Sequence, residues 1–218
     1  MSHVEYRMTN EALQAILEGL EVKPEDYILA IGGSGDQAFA ILEYAKRVLA
    51  VDYDGYQVRY IKSQAKSLRV GNYKKFLERR EQDSSGYRGQ NEGYFEARGR
   101  LDRIRERLPD LEIRKAEIRE LCKHKNSFNK LYLSNAYGYH DSWLDDDFLV
   151  VTMHIPLYGL VYVSNGIEIQ DKEKLLSKSG LTIHKKLNDS KLKKDEKWTP
   201  LILRKIVKPK PLKSFSRV

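Results

Sequence analysis

The order of elements between residues 27 and 70 is what most constrains the fold of this chain. Tyr27–Ile31 is a short apolar run of strand type, and it leads directly into Gly32-Gly33-Ser34-Gly35. Asp36–Ala45 then sets Phe39, Ile41, Leu42 and Ala45 at the inward positions of a helix. Arg47–Val51 is a second apolar strand, closed by Asp52-Tyr53-Asp54-Gly55. Over Gln57–Val70, Val58, Ile61, Ala65 and Leu68 make one stripe, with Arg59, Lys62, Lys66 and Arg69 off it. That is the period of an amphipathic helix, and Gly71 is a stop signal. Strand, glycine turn, helix, strand, acidic turn, helix implies parallel strands joined by right-handed crossovers.

The rest of the chain extends this pattern. Asn10–Leu20 carries Leu13, Ile16, Leu17 and Leu20 at helical spacing, with Thr9 or Asn10 as the expected cap. Residues 72–109 are dense in charge, contain the loop signals Asp83-Ser84-Ser85-Gly86 and Gly89-Gln90-Asn91-Glu92-Gly93, and recover helical character over Tyr94–Leu108. They predict a helical insertion over the carboxyl edge of the sheet. Leu111–Arg114 and Lys130–Ser134 read as further strands, with Ile118–His124 a turn or short helix between them. Phe148–Thr152 and Leu160–Ser164 are both apolar and rich in β-branched residues, and one of them is the next central strand. Lys172–Ser179 predicts a last helix, and Leu181–Lys185 and Leu201–Ile206 closing antiparallel strands. The expectation is one α/β domain over residues 1–206 with a mostly parallel sheet and an antiparallel edge, followed by a flexible basic tail at 207–218.

Composition excludes several classes. The 218 residues hold a single cysteine, Cys122, which rules out an intramolecular disulfide framework and a Cys-rich zinc site. His3, His124, His140, His154 and His184 show no metal-ligand spacing, so no metal is expected, and Asp145-Asp146-Asp147 reads as a solvated turn. The longest apolar runs fall far short of a membrane span, and the first residues lack the build of a signal peptide. A soluble cytoplasmic protein is the expectation. The net charge of +8 is uneven: Lys185–Val218 has twelve Lys/Arg against Asp189, Asp195 and Glu196, leaving the first 184 residues at −1. Such a segment can attract nucleic acid or an anionic surface, or it can simply be a solvated tail.

The chemistry concentrates at the two turns. Glycines let the backbone approach a ligand closely, and a helix start offers unpaired N–H groups. Asp36, however, would repel a phosphate and could accept hydrogen bonds from a cationic amino group, which points away from a dinucleotide. A tight turn with Asp36 as helix cap is the alternative, and the turn alone leaves the two open. Asp52 ends the second strand about 20 residues past the glycines, where an acid can chelate ribose hydroxyls. Asp54 is the rival for that role, or a cap for the next helix.

Leu29-Ala30-Ile31-Gly32-Gly33-Ser34-Gly35-Asp36-Gln37-Ala38 and Ala50-Val51-Asp52-Tyr53-Asp54-Gly55-Tyr56-Gln57 resemble the S-adenosylmethionine-dependent Rossmann-fold transferases. More closely they are similar to the S-adenosylmethionine:diacylglycerol 3-amino-3-carboxypropyl transferase family of betaine-lipid synthesis. That family's Gly-Asp-Asn-Ala is met by Gly35-Asp36-Gln37-Ala38, its Ala-Val-Asp and following Gln by Ala50-Val51-Asp52 and Gln57, and its Ser-Asn by Ser134-Asn135. Tyr94 and Arg98 match a Tyr and an Arg on the last helix of the insertion. The likeness spans residues 27–139. Departures are the absence of the usual Asn-Pro near Asp54-Gly55, Ala30 in place of the acid common in methyltransferases, and the shortness of this chain beside family members.

The resemblance implies a Rossmann-like sheet of the class I methyltransferase type and S-adenosylmethionine as cofactor. Gly32, Gly33, Ser34 and Gly35 would approach the cofactor, Asp36 would bind its amino group, Asp52 with Tyr53 would hold the ribose, and Glu117 would lie near the adenine. Ser134 and Asn135 would complete the cofactor site. Tyr137, Tyr139 and His140, with Asp141, would supply a base or position the acceptor, a small molecule or lipid; an aromatic-rich surface loop is the other reading of that cluster. The group transferred is expected to be 3-amino-3-carboxypropyl, with methyl transfer to a small molecule or RNA, and a non-catalytic nucleotide- or nucleic-acid-binding module, as alternatives.

Overall fold

The computed structural model of the chain describes residues 4–81, 91, 93–123, 127–136, 145–164, 169, 172–189 and 200–207. An irregular segment, 4–12, precedes α1 (Leu13–Gly19). The predicted alternation follows: β1 (Tyr27–Ile31), α2 (Asp36–Leu42), β2 (Arg47–Asp52) and α3 (Gly55–Arg69). Next come α4 (Tyr73–Glu81), α5 (Arg100–Arg107) with one 3-10 turn, β3 (Leu111–Lys115), α6 (Ile118–Cys122), β4 (Lys130–Tyr132) and α7 (Asp145–Thr152). The chain closes with β5 (Leu160–Val163), α8 (Glu173–Ser179), β6 (Leu181–Ile183), α9 (Lys185–Asp189) and β7 (Leu201–Lys205).

Among the described residues seven strands form one sheet in the order β3-β2-β1-β4-β5-β7-β6. The pairs β1–β2, β1–β4, β2–β3 and β4–β5 are parallel, with Ala30 opposite Ala50 and Leu29 opposite both Leu49 and Leu131. β7 runs antiparallel to β5 and to β6. The expected antiparallel element is therefore one strand in from the edge, and β6 at the edge runs with the parallel set.

Both faces of the sheet are covered, which is why the central strands read as continuous apolar runs. Ile28, Ala30, Val48 and Ala50 join the cluster under α1, α2 and α3, while Leu29, Leu49, Val51 and Leu131 join the one under α6, α7 and α8. Of the two apolar runs left open, Leu160–Val163 is the strand and Phe148–Thr152 is the end of α7. Asp145, Asp146 and Asp147 occupy the first turn of that helix, where carboxylates favour the N-terminal dipole.

Two expectations are corrected here. The apolar residues of the insertion do not lie over the carboxyl edge: Phe76, Phe95, Leu101, Ile104 and Leu108 pack into the cluster on the α2 and α3 side, with Phe76 edge-on to both Phe39 and Phe95, while Asn91 reaches the N-terminal segment by donating to the Glu11 carbonyl at 2.8 Å and accepting from the Leu13 N–H at 2.9 Å. A sequence period shows which residues are buried but not against which layer. The first helix starts at Leu13 with Ala12 at its cap position and no side-chain cap, because Thr9 and Asn10 belong to the irregular segment before it. The tail residues 208–218 and most of the lysine-rich stretch before β7 lie outside the described residues.

Candidate functional site

A cavity of about 620 Å³ opens at the carboxyl ends of β1 to β4. In an open α/β sheet ligands bind where neighbouring strands send their connections in opposite directions, and the neighbours β1 and β4 meet that condition here. The floor is built from the two turns that the sequence singles out. Gly33 adopts φ +46° and Gly35 φ +88°, the left-handed region open to glycine. The Gly33 N–H donates to Asp52 Oδ2 at 3.0 Å, and the Asp54 N–H donates to Asp52 Oδ1 at 2.9 Å. The turn and the strand-terminal acid thus hold each other. The Gly35 N–H closes back on the Gly32 carbonyl at 2.7 Å, so two amides of this turn are spent internally instead of facing an anion.

Asp52 is 9% exposed, and burial pushes its carboxyl up to about 6 against the opposing pull of the Asp54 and Gly33 amides; the charges of Asp54 and Glu5 add to the rise. Asp54 is the cap of α3, its carboxylate accepting from the Tyr56 N–H at 2.8 Å. Both acids line the cavity, Asp52 clamped between the two turns and Asp54 also capping α3.

The roof went unseen in the sequence. Glu5, Tyr6, Met8, Thr9 and Asn10 line the cavity from the irregular N-terminal segment. Gln57 fastens this strap by accepting from the Tyr6 N–H at 3.3 Å and donating to the Tyr6 carbonyl at 2.5 Å, and the Tyr60 hydroxyl donates to the Arg7 carbonyl at 3.0 Å. Asp36 belongs to the same fastening. It is 1% exposed, does not line the cavity, and accepts from the Thr9 N–H at 3.0 Å. A segment without period or turn signature leaves no trace of such a role, although the pairing of Gln57 with the strap lies in the motif that carries the resemblance.

The remaining expected residues divide clearly. Gly33, Ser34, Asp52, Tyr53, Glu117, Ser134 and Asn135 line the cavity; Gly32 and Gly35 do not, and a Cβ on either would meet Ile61 of α3 at 2.9 Å. Tyr94 lies under the Arg100 guanidinium, 4.0 Å from the ring centre, and neither it nor the exposed Arg98 lines the cavity. Tyr137, Tyr139, His140 and Asp141 lie outside the described residues. Among the described residues four carboxylates line the cavity, Glu5, Asp52, Asp54 and Glu117, against one cationic residue, Arg119. Arg119 is engaged by Glu117 at 3.2 Å and Asp147 at 3.4 Å. Among the described residues no group of three or more His, Cys, Asp or Glu is placed to hold a metal ion, and no helix is long and apolar enough to cross a membrane.

No protein-family model and no curated protein matches the sequence. Solved structures do resemble the fold. The cyclase SpnF is 11% identical, with a TM-score of 0.56 over 95% of this chain and 88% of that one. A precorrin-6y methyltransferase from Geobacter metallireducens is 11% identical, with a TM-score of 0.53 over 84% and 77% of the two chains. A putative RNA methyltransferase from Pyrococcus horikoshii is 14% identical, with a TM-score of 0.52 over 94% and 88%. At these identities the likeness establishes the architecture: a Rossmann-like α/β fold of the class I methyltransferase type.

Proposed function

We propose that the chain is an S-adenosylmethionine-dependent transferase whose cofactor lies in the cavity at the ends of β1 to β4. The observation that carries this reading is the pairing of Asp52, clamped by the Gly33 amide, with an acid-lined cavity. Each Asp52 oxygen has one lone pair engaged by an amide and another left for a ribose hydroxyl. A phosphate-bearing dinucleotide fits this lining poorly, since four carboxylates would repel it and the Gly33 amide is already donated. A ligand carrying an ammonium and a sulfonium fits it well, and the volume is that of an ordinary small-molecule site.

S-Adenosylmethionine supplies a carbon activated by its sulfonium, which leaves as a neutral thioether when a nucleophile takes that carbon. The chain's own contribution is positioning. Asp52 fixes the ribose, Glu117 and Ile118 border the adenine end, and the strap from Glu5 to Asn10 keeps water from the reacting centre. Tyr137, Tyr139 and His140, which follow the cavity-lining Ala136 in sequence, remain the candidates to receive the acceptor's proton. The acceptor is a neutral or cationic small molecule, because the same carboxylates disfavour an anionic one.

Of the two group transfers, methyl transfer is the reading we take. An acid at the amino end of the methionine chain would help turn its γ-carbon to the acceptor, but Asp36 does not line the cavity and accepts from the Thr9 N–H. Aminocarboxypropyl transfer, to a lipid or other acceptor, then rests on the resemblance at the two turns alone. The by-product separates them. Incubation with S-adenosylmethionine and a cell extract should yield S-adenosylhomocysteine by mass spectrometry. Formation of 5′-methylthioadenosine would make the transferred group aminocarboxypropyl, and no binding at millimolar cofactor would sink the cofactor assignment.

A further inference from the structure

Glu11 has no part in the reading above, yet it is 3% exposed and stands directly behind the cavity wall. Its Oε1 accepts from the Tyr132 hydroxyl at 2.7 Å and from the Ser134 hydroxyl at 2.5 Å, and its Oε2 accepts from the Ser164 hydroxyl. Tyr132 ends β4, while Ser134 and Ser164 lie just past β4 and β5. Among the described residues these three hydroxyls are its side-chain partners, and no Lys, Arg or His pairs with it. A buried carboxylate without a cationic partner is costly, and burial accordingly raises its pKa.

The arrangement fixes where protons lie on the cavity wall. Ser134 lines the cavity with φ +54°, a strained backbone for a residue with a side chain. A serine hydroxyl has one proton; given to Glu11 at 2.5 Å in preference to Asn135 Oδ1 at 3.3 Å, it leaves an oxygen that can only accept from a ligand. The Tyr132 hydroxyl likewise gives its proton to Glu11 and accepts from Gln37 Nε2 at 3.5 Å, while Gln37 Oε1 accepts from the Ser34 hydroxyl at 3.3 Å. The β1–β4 side of the cavity is thus an accepting surface backed by the Glu11 carboxyl group.

A nucleoside ligand with its ribose on Asp52 and its base toward Glu117 has its other end directed the opposite way, across β1 to β4. Resting on the cofactor assignment above, we infer that Glu11 is the positioning residue for the ligand's ammonium. It takes the Ser134 proton, so that the serine oxygen accepts from the ammonium, and an ammonium one hydroxyl away in turn favours the carboxylate form of Glu11.

The test compares S-adenosylhomocysteine with 5′-methylthioadenosine, which shares the nucleoside and lacks the amino-acid end. Calorimetric titration of the full chain and of Glu11→Gln should show S-adenosylhomocysteine weakened by about tenfold or more, as for loss of a charge-assisted contact, with 5′-methylthioadenosine changed by less than about twofold. A general disturbance of the site would weaken both ligands alike, and that result overturns the inference, as does unchanged S-adenosylhomocysteine affinity. If wild type binds neither ligand, the cofactor assignment itself has failed and the inference goes with it. Should Glu11→Gln not fold, Ser134→Ala carries the test, with the same split in support and an unchanged ratio against.

Discussion

Replacing Asp52 by asparagine keeps the side chain's size and removes the charge that the cavity floor is built around. With the carboxyl pushed from 3.8 to about 6, burial disfavours the ionised form by roughly 3 kcal/mol. A folded-state pKa above the unfolded one means that this group's contribution to stability is fully present below about pH 4 and lost as pH rises through about 6. At neutral pH the ionised carboxylate therefore works against folding, and Asp52→Asn relieves that cost. The amide in turn leaves one of the two N–H groups from Gly33 and Asp54 facing another donor, a loss of about 1–3 kcal/mol. The two terms nearly cancel at pH 8, so the variant is expected to fold and can be assayed for binding. The ligand of choice is 5′-methylthioadenosine, which has the ribose diol and no ammonium. For wild type the ionised fraction of Asp52 falls from about nine-tenths at pH 7 to about one-tenth at pH 5, so affinity should drop about tenfold over that interval. Asp52→Asn should bind about 1–3 kcal/mol more weakly at pH 8 and show no such drop. Calorimetry at pH 5, 6, 7 and 8 reads both. A wild-type affinity independent of pH, or a variant that keeps the tenfold slope, would refute the assignment of the ribose to Asp52.

Asp54→Ala should separate capping from binding: removal of the acceptor for the Tyr56 N–H should lower stability by about 1 kcal/mol in thermal or denaturant unfolding, with a smaller effect on ligand affinity than Asp52→Asn. Gly35→Ala forces a left-handed φ of +88° on alanine and brings its Cβ to 2.9 Å from Ile61 Cγ2. A loss of about 1–3 kcal/mol is expected by urea unfolding, and a variant as stable as wild type would show that the turn is less constrained than its geometry implies.

The framework of the site is legible in local sequence signals. Apolar runs at Tyr27–Ile31 and Arg47–Asp52, the glycines between β1 and α2, and the acid at the end of β2 are local signals, because backbone permissiveness and strand period act over a few residues. They set Gly33 and Ser34 just past β1 and Asp52 at the end of β2. Other features depend on partners far apart in the chain. Glu11 reads as part of a helix start, and it becomes the carboxylate behind the cavity wall only through Ser134, 123 residues away. Asp36 reads as a ligand group or a cap, and it is the Thr9 amide, delivered by a segment without period, that occupies it. Phe148–Thr152 and Leu160–Val163 are equally apolar, and pairing with β4 and β7 is what makes the second one the strand. Local propensity cannot choose in these cases, since burial on both faces of a parallel sheet and inside a helix demand the same residues, and the choice falls to whichever arrangement satisfies the buried polar groups.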